Sequence, residues 1–275
     1  MSLNLHKNKI FHLLLLVLLP LSARAQFVDS VTGLLMMPSG EMQESGTFMI
    51  SNSMLNKAYV ENPKNTSAWG YNTFAYGFDI TVFSRVEIAY ICTLFNHNWD
   101  PYADLNYRRS ILFNQDRHFA ARLQALKEGE FGLKWMPSVV LGISDPLTGS
   151  GGDYLEDNVG SEGNGYFNRA YIAASKHFQT PFGKVGAHAA YQYTRRKYII
   201  PKGPCVGVTW NPVWLNREGS FLSSCRVIAE YDAKEVNLGL TASVWKDRFE
   251  IWTCLQACRH FNGGLRFKVV LEKAN

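Results

Sequence analysis

Large apolar residues alternate with small or polar ones along most of the chain, and no stretch offers the roughly 20 uninterrupted apolar residues that a membrane-spanning helix needs. Val236, Leu238, Leu240, Ala242 and Val244 fall on one side of a strand, with Glu235, Asn237, Gly239, Thr241 and Ser243 between them. The last segment repeats the pattern, with Phe261, Leu265, Phe267, Val269 and Leu271 opposite Asn262, Gly264, Arg266 and Lys268. One face suits lipid and the other a wet lumen, the signature of a transmembrane β-barrel.

The N-terminus explains how such a chain reaches a membrane. Lys7 and Lys9 precede an apolar run from Ile10 to Leu21, and Ala23-Arg24-Ala25 has the small-x-small form of a signal-peptidase site. Cleavage after Ala25 is expected, leaving Gln26 rather than a lipidated cysteine at the new terminus. The expected location is the bacterial outer membrane; a secreted or periplasmic all-β protein is the alternative reading of the same pattern.

Charge excludes one class of partner. Losing Lys7, Lys9 and Arg24 lowers the full-chain charge of +5 to +2. The remaining Lys and Arg are spread along strands rather than clustered, so no nucleic-acid partner is expected. Cys92, Cys205, Cys225, Cys254 and Cys258 form no metal motif, so neither metal nor cofactor is expected. Cys205 with Cys225 is one possible disulfide, and the odd count leaves at least one thiol over.

About twelve strands are expected, near residues 46–54, 70–81, 84–95, 118–127, 136–145, 168–177, 183–193, 203–211, 222–232, 235–244, 247–257 and 261–271. Long polar segments (55–69, 96–117, 146–167) alternate with short turns near 81–84, 128–131 and 179–181, as in barrels with long external loops and short periplasmic turns. The expected organisation is a signal peptide over 1–25, an extended segment over 26–45 and a single all-β antiparallel barrel over 46–275. Twelve strands leave a narrow lumen. Phe74, Tyr76 and Phe78 share a face, and Trp69, Tyr71, Trp135, Trp245 and Trp252 fall near strand ends, where interfacial girdles form.

Several segments in order resemble the YjbH-like outer-membrane family associated with exopolysaccharide and capsule production. They begin with Thr32-Gly33-Leu34-Leu35-Met36-Met37-Pro38-Ser39 and Gly46-Thr47-Phe48. Arg122, then Lys127-Glu128-Gly129-Glu130-Phe131 through Pro137, Gly142 and Asp145 follow, then Thr148-Gly149-Ser150-Gly151. Ser175-Lys176 and Glu230-Tyr231-Asp232 with Asn237 and Gly239 complete the set. The resemblance implies a barrel that works beside periplasmic or lipoprotein components of a polysaccharide secretion system, with lipid and polysaccharide as its other partners.

The alternation places Arg85, Glu87, Arg122, Lys184, His188, Arg226, Glu230, Arg248, Glu250, Arg266 and Lys268 on the lumen wall. Such a wall would conduct anionic or hydroxylated glycans. Alternatively, its charges pair with one another and hold the wall rigid. No G-x-S-x-G or H-E-x-x-H motif occurs, and His97, His118, His177 and His188 are dispersed, so the chain is expected not to be an enzyme. Asp145 and Asp153 flank a Gly-rich loop at 148–152 that no helix follows, unlike a phosphate cradle. The sequence therefore points to a narrow conduit or assembly component in polysaccharide export. A barrel enzyme acting on lipid or glycan and a closed structural barrel are the alternatives; His97, His118 and Asp145 are the positions that test the first.

Overall fold

The computed structural model describes residues 30–58, 72–95, 114–146, 168–194, 201–216 and 221–271. The expected signal peptide, His97, Asp153, the loop at 148–152, Trp69 and Tyr71 lie outside them. Among the described residues, twelve antiparallel strands close into a barrel: β1 (Thr47–Leu55), β2 (Thr73–Val82), β3 (Val86–Phe95), β4 (Asn114–Leu126), β5 (Ser138–Ser144), β6 (Arg169–Thr180), β7 (Gly183–Tyr193), β8 (Gly203–Pro212), β9 (Leu222–Tyr231), β10 (Val236–Val244), β11 (Phe249–Gln256) and β12 (His260–Val270). Each strand pairs with its sequence neighbours, and β1 closes on β12 with Thr47 opposite Val270. Closure leaves no free strand edge, which is the condition for a sheet to sit in hydrocarbon.

The period-2 alternation sets which side chains turn outward. Ile88, Phe119, Ile172, Val208, Leu240 and Leu265 are exposed on the outer surface, the reverse of a water-soluble protein. Aromatic rings continue along this outer face. Phe48, Phe78, Tyr90 and Phe119 follow one another across β1 to β4 at centroid separations of 6.2, 5.6 and 5.4 Å. Trp245, Phe249 and Phe267 extend the aromatic surface on the other side of the closure, at 5.4 and 4.9 Å. Trp252 departs from the expected girdle. It is buried on the inner side of β11, where the missing side chain of Gly264 makes room for its indole.

The connections alternate in length around the barrel. Residues 83–85, 127–137, 181–182, 213–221 and 245–248 join strands at one end, which is also where β1 starts and β12 stops. The strand ends joined by the longer connections (56–72, 96–113 and 145–168) and by the shorter 194–202, 232–235 and 257–259 lie at the other end. The strand ranges differ from expectation in β4, which begins at Asn114, and in β6, which continues to Thr180, so that the turn after it is confined to Pro181 and Phe182. The possible Cys205–Cys225 pair does not form. All five cysteines are free, and the β8–β9 register sets Val206 against Tyr231, which puts Cys205 and Cys225 at opposite ends of the barrel.

Candidate functional site

Residues 30–43 are all buried, and they occupy the lumen. The segment folds as a hairpin: Gly33 bridges Pro38, and the Leu34 N–H donates to the Met37 carbonyl at 3.0 Å. Its apolar side chains, Val31, Leu34, Leu35, Met36 and Met37, form one cluster with wall residues Ala75, Ala89, Ile91, Ile228, Trp252 and Cys254. Small wall residues carve the space. A side chain at Gly207 would meet Leu34 and Met37, one at Gly239 would meet Leu35, and one at Gly77 would meet Ser30. The Thr32 to Ser39 segment thus fits a socket shaped for it.

Three polar anchors tie this plug to the wall. At the hairpin tip, the Glu230 carboxylate accepts the N–H groups of Leu35 and Met36 at 3.0 and 2.6 Å, and Asn237 donates to the same carboxylate at 3.3 Å. Lower down, Glu87 accepts the Thr32 N–H at 2.7 Å and pairs with Arg122 at 2.5 Å. Arg122 reaches onward to the carbonyls of Ser39 and Glu41, at 2.7 and 2.8 Å. Buried charges of this kind are tolerated only when paired and hydrogen-bonded, and here the partners include the plug backbone itself.

The third anchor lies toward the short-turn end, around Glu41. One carboxylate oxygen accepts from Arg226 at 3.0 Å and the other meets His177 Nε2 at 2.9 Å. Burial alone would raise the pKa of Glu41, but the Arg226 guanidinium and the His177 hydrogen bond hold it well below the usual carboxylate range. His177 Nδ1 faces Glu128 at 2.6 Å, and Lys176 pairs with the same carboxylate at 3.1 Å. Beside them, His188 Nδ1 meets the Ser175 hydroxyl at 2.7 Å, and that hydroxyl also accepts the Gly40 N–H at 2.8 Å. Gly40 passes so close to β5 and β6 that any side chain would strike the Ser138 carbonyl and the Ser175 nitrogen. The Ser138 hydroxyl in turn donates to the Gly40 carbonyl.

Of the residues expected on the lumen wall, Glu87, Arg122, His188, Arg226, Glu230, Glu250, Arg266 and Lys268 are inward and buried. Arg266 pairs with Glu250 at 2.6 Å. Three sit elsewhere. Arg85 lies in the turn between β2 and β3 and pairs with Glu130, Arg248 lies in the turn before β11 over the Trp245 ring, and Lys184 is half-buried at the short-turn rim. The expected face-sharing pairs Arg85–Glu87 and Arg248–Glu250 are therefore corrected, because a tight turn intervenes and the alternation does not extend through it. Glu41, Ser175 and Thr32 are engaged residues that the strand alternation did not single out.

At the long-loop end the structure brings together His118, Asp145 and Arg169, all buried. The Asp145 N–H donates to the Phe119 carbonyl at 2.8 Å, and Ser144 lies opposite both Ala120 and Arg169, so His118 on β4, Asp145 just past β5 and Arg169 at the start of β6 lie near one level of the wall.

No family model matches the chain, and no curated protein matches it in sequence. Among solved structures it is similar to LpxR from Salmonella typhimurium, with 10% identity over 80% of this chain and 99% of that one, at a TM-score of 0.38. It is also similar to a triple mutant of the Rhodopseudomonas blastica porin, with 14% identity over 72% of this chain and 55% of that one, at a TM-score of 0.30. These are likenesses of one barrel to another. The expectation from the sequence that the chain is not an enzyme is corrected, because catalytic groups are recognised by geometry and not by motif, and the absence of G-x-S-x-G or H-E-x-x-H excludes none.

Proposed function

We propose that this protein is a bacterial outer-membrane β-barrel closed at rest by its own N-terminal hairpin, which serves exopolysaccharide or capsule production and passes a glycan only when the hairpin is displaced. The observation that carries this reading is the burial of residues 30–43 inside the lumen, held by Glu230, Glu87, Arg122 and Arg226. A permanently open conduit is incompatible with that seating. The apolar outer face supports lipid as the surrounding medium, and the family-like plug sequence supports polysaccharide and periplasmic or lipoprotein partners. The plug runs into β1 at the short-turn end, where such partners would reach it. In a strain lacking the protein, surface polysaccharide is expected to fall and to be restored by the intact chain but not by one lacking residues 30–43. Unchanged polysaccharide in the deletion strain would remove this role.

A second reading, a barrel enzyme acting on lipid or glycan, is favoured by the gathering of His118, Asp145 and Arg169 at the long-loop end. The Ser175–His188 pair offers less, because it is sealed beneath Gly40. If the enzyme reading holds, His118→Ala and Asp145→Asn abolish release of acyl chains or sugars from outer-membrane material while the barrel stays folded; equal release by all variants would discard it.

A further inference from the structure

Glu41, His177 and His188 come from three separate stretches of chain, yet each offers a ligand atom and these atoms all lie within 4.8 Å of one another. The orientation of the two rings is informative. A side chain built at Gly186 would meet the Thr209 hydroxyl, His188 Nε2 and the Cδ2 of His177, so these three atoms border one small space. The ring centroids are 5.7 Å apart with the planes at 79°. His177 Nε2 already lies 2.9 Å from Glu41 Oε1.

Every one of these groups is held from behind. Glu128 fixes His177 through Nδ1 at 2.6 Å, Ser175 fixes His188 through Nδ1 at 2.7 Å, and Arg226 fixes Glu41 through its other oxygen at 3.0 Å. Metal-binding histidines are characteristically oriented in this way, by a carboxylate or hydroxyl on the nitrogen remote from the ion. The site is also reachable. Glu41 and His188 are buried, while His177 and Glu128 keep side-chain exposures of 14% and 30% toward the short-turn end.

We propose that Glu41 Oε1, His177 Nε2 and His188 Nε2 bind a divalent transition-metal ion of the zinc class, which fastens the plug to strands β6 and β7. Two imidazoles and one carboxylate suit Zn²⁺, Co²⁺ or Ni²⁺ rather than Ca²⁺ or Mg²⁺, which favour all-oxygen sets. The Thr209 hydroxyl, hydrogen-bonded to His188 Nε2 at 3.1 Å, is the partner that the ion would displace. Binding replaces the hydrogen between His177 Nε2 and Glu41 and releases it as a proton. The site rests on the seating of the plug, which the structure shows, and not on its displacement or on any glycan.

The test uses the full mature chain refolded in detergent micelles, with Cys258→Ala as the background so that the exposed thiol does not bind metal. Co²⁺ is titrated and followed by visible absorption, with equilibrium dialysis for stoichiometry and heat-modifiable migration as the check of folding. One Co²⁺ per chain is expected, displaced by Zn²⁺, with binding lost in His177→Ala and His188→Ala. Glu128→Gln, at the rim, is expected to fold normally and to weaken binding about 10-fold or more. Absence of saturable binding in the folded background protein, or binding untouched by Glu128→Gln and His188→Ala, would overturn the site. Neither result depends on conductance or polysaccharide, so failure of the transport reading would be seen separately.

Discussion

Arg226 donates to Glu41 at 3.0 Å, joining strand β9 to a residue 185 positions earlier that lies inside the barrel. Both groups are buried, and neither belongs to the other's hairpin or strand pair. The contact exists only because the N-terminal segment threads the lumen, and the first prediction follows from it.

Arg226→Met is expected to cost roughly 3–5 kcal/mol, because it leaves the Glu41 carboxylate buried without its cation. The double variant Arg226→Met with Glu41→Leu is expected to recover much of that loss. Urea unfolding of the protein in lipid vesicles, carried out as a double-mutant cycle, measures the coupling; additive effects of the two substitutions would dissociate the pair.

Glu230→Ala is expected to leave the N–H groups of Leu35 and Met36 buried without an acceptor, at about 1–3 kcal/mol each. Hydrogen exchange should then accelerate at Leu35 and Met36 well before it changes in the barrel strands. Uniform acceleration across plug and wall would mean that Glu230 supports the barrel rather than the hairpin tip.

Cysteine labelling distinguishes the seated plug from a displaced one. A small maleimide is expected to react with exposed Cys258 and to spare Cys205 and Cys254, which are buried behind the plug cluster. In Gly40→Val the new side chain has no room against Ser138 and Ser175, so Cys254 is expected to become reactive while the protein keeps its heat-modifiable migration.

Acid should loosen the turn that follows β4. The Lys127 N–H and then the Arg85 guanidinium hold the Glu130 carboxyl below its ordinary range. A carboxylate lowered in the folded state contributes above its unfolded value, and that contribution disappears as pH falls through the folded one. Hydrogen exchange in residues 127–136 is therefore expected to rise on acidification below the ordinary carboxylate range, and Glu130→Gln should show the faster exchange at neutral pH, with the difference closing as Glu130 is protonated.

The barrel was legible because its signal is redundant: twelve strands each repeat the same apolar-polar alternation, and outward residues such as Leu238, Leu240 and Leu265 declare their face without knowledge of any partner. The inward charges were legible for the same reason wherever they lay inside a strand, as Glu87, Arg122 and Arg226 do. Arg85 and Arg248 misled because they adjoin strands in phase with the alternation while sitting in tight turns. The plug was hidden because Leu34-Leu35-Met36-Met37 has no period of its own and is buried on every side, so its sequence resembles a strand edge or a loop equally. The meeting of Glu41 with His177 and His188 depends on where that plug runs, which no spacing along the chain encodes. Trp252 was misplaced because its socket is made by Gly264 on the neighbouring strand.

The most direct test of the closed barrel is planar-bilayer recording of the intact mature protein beside Gly40→Val. The intact protein is expected to insert and remain silent, and the variant to give stable conductance steps that an acidic oligosaccharide blocks. Steady conductance from the intact protein, equal to that of the variant, would contradict a lumen sealed by residues 30–43.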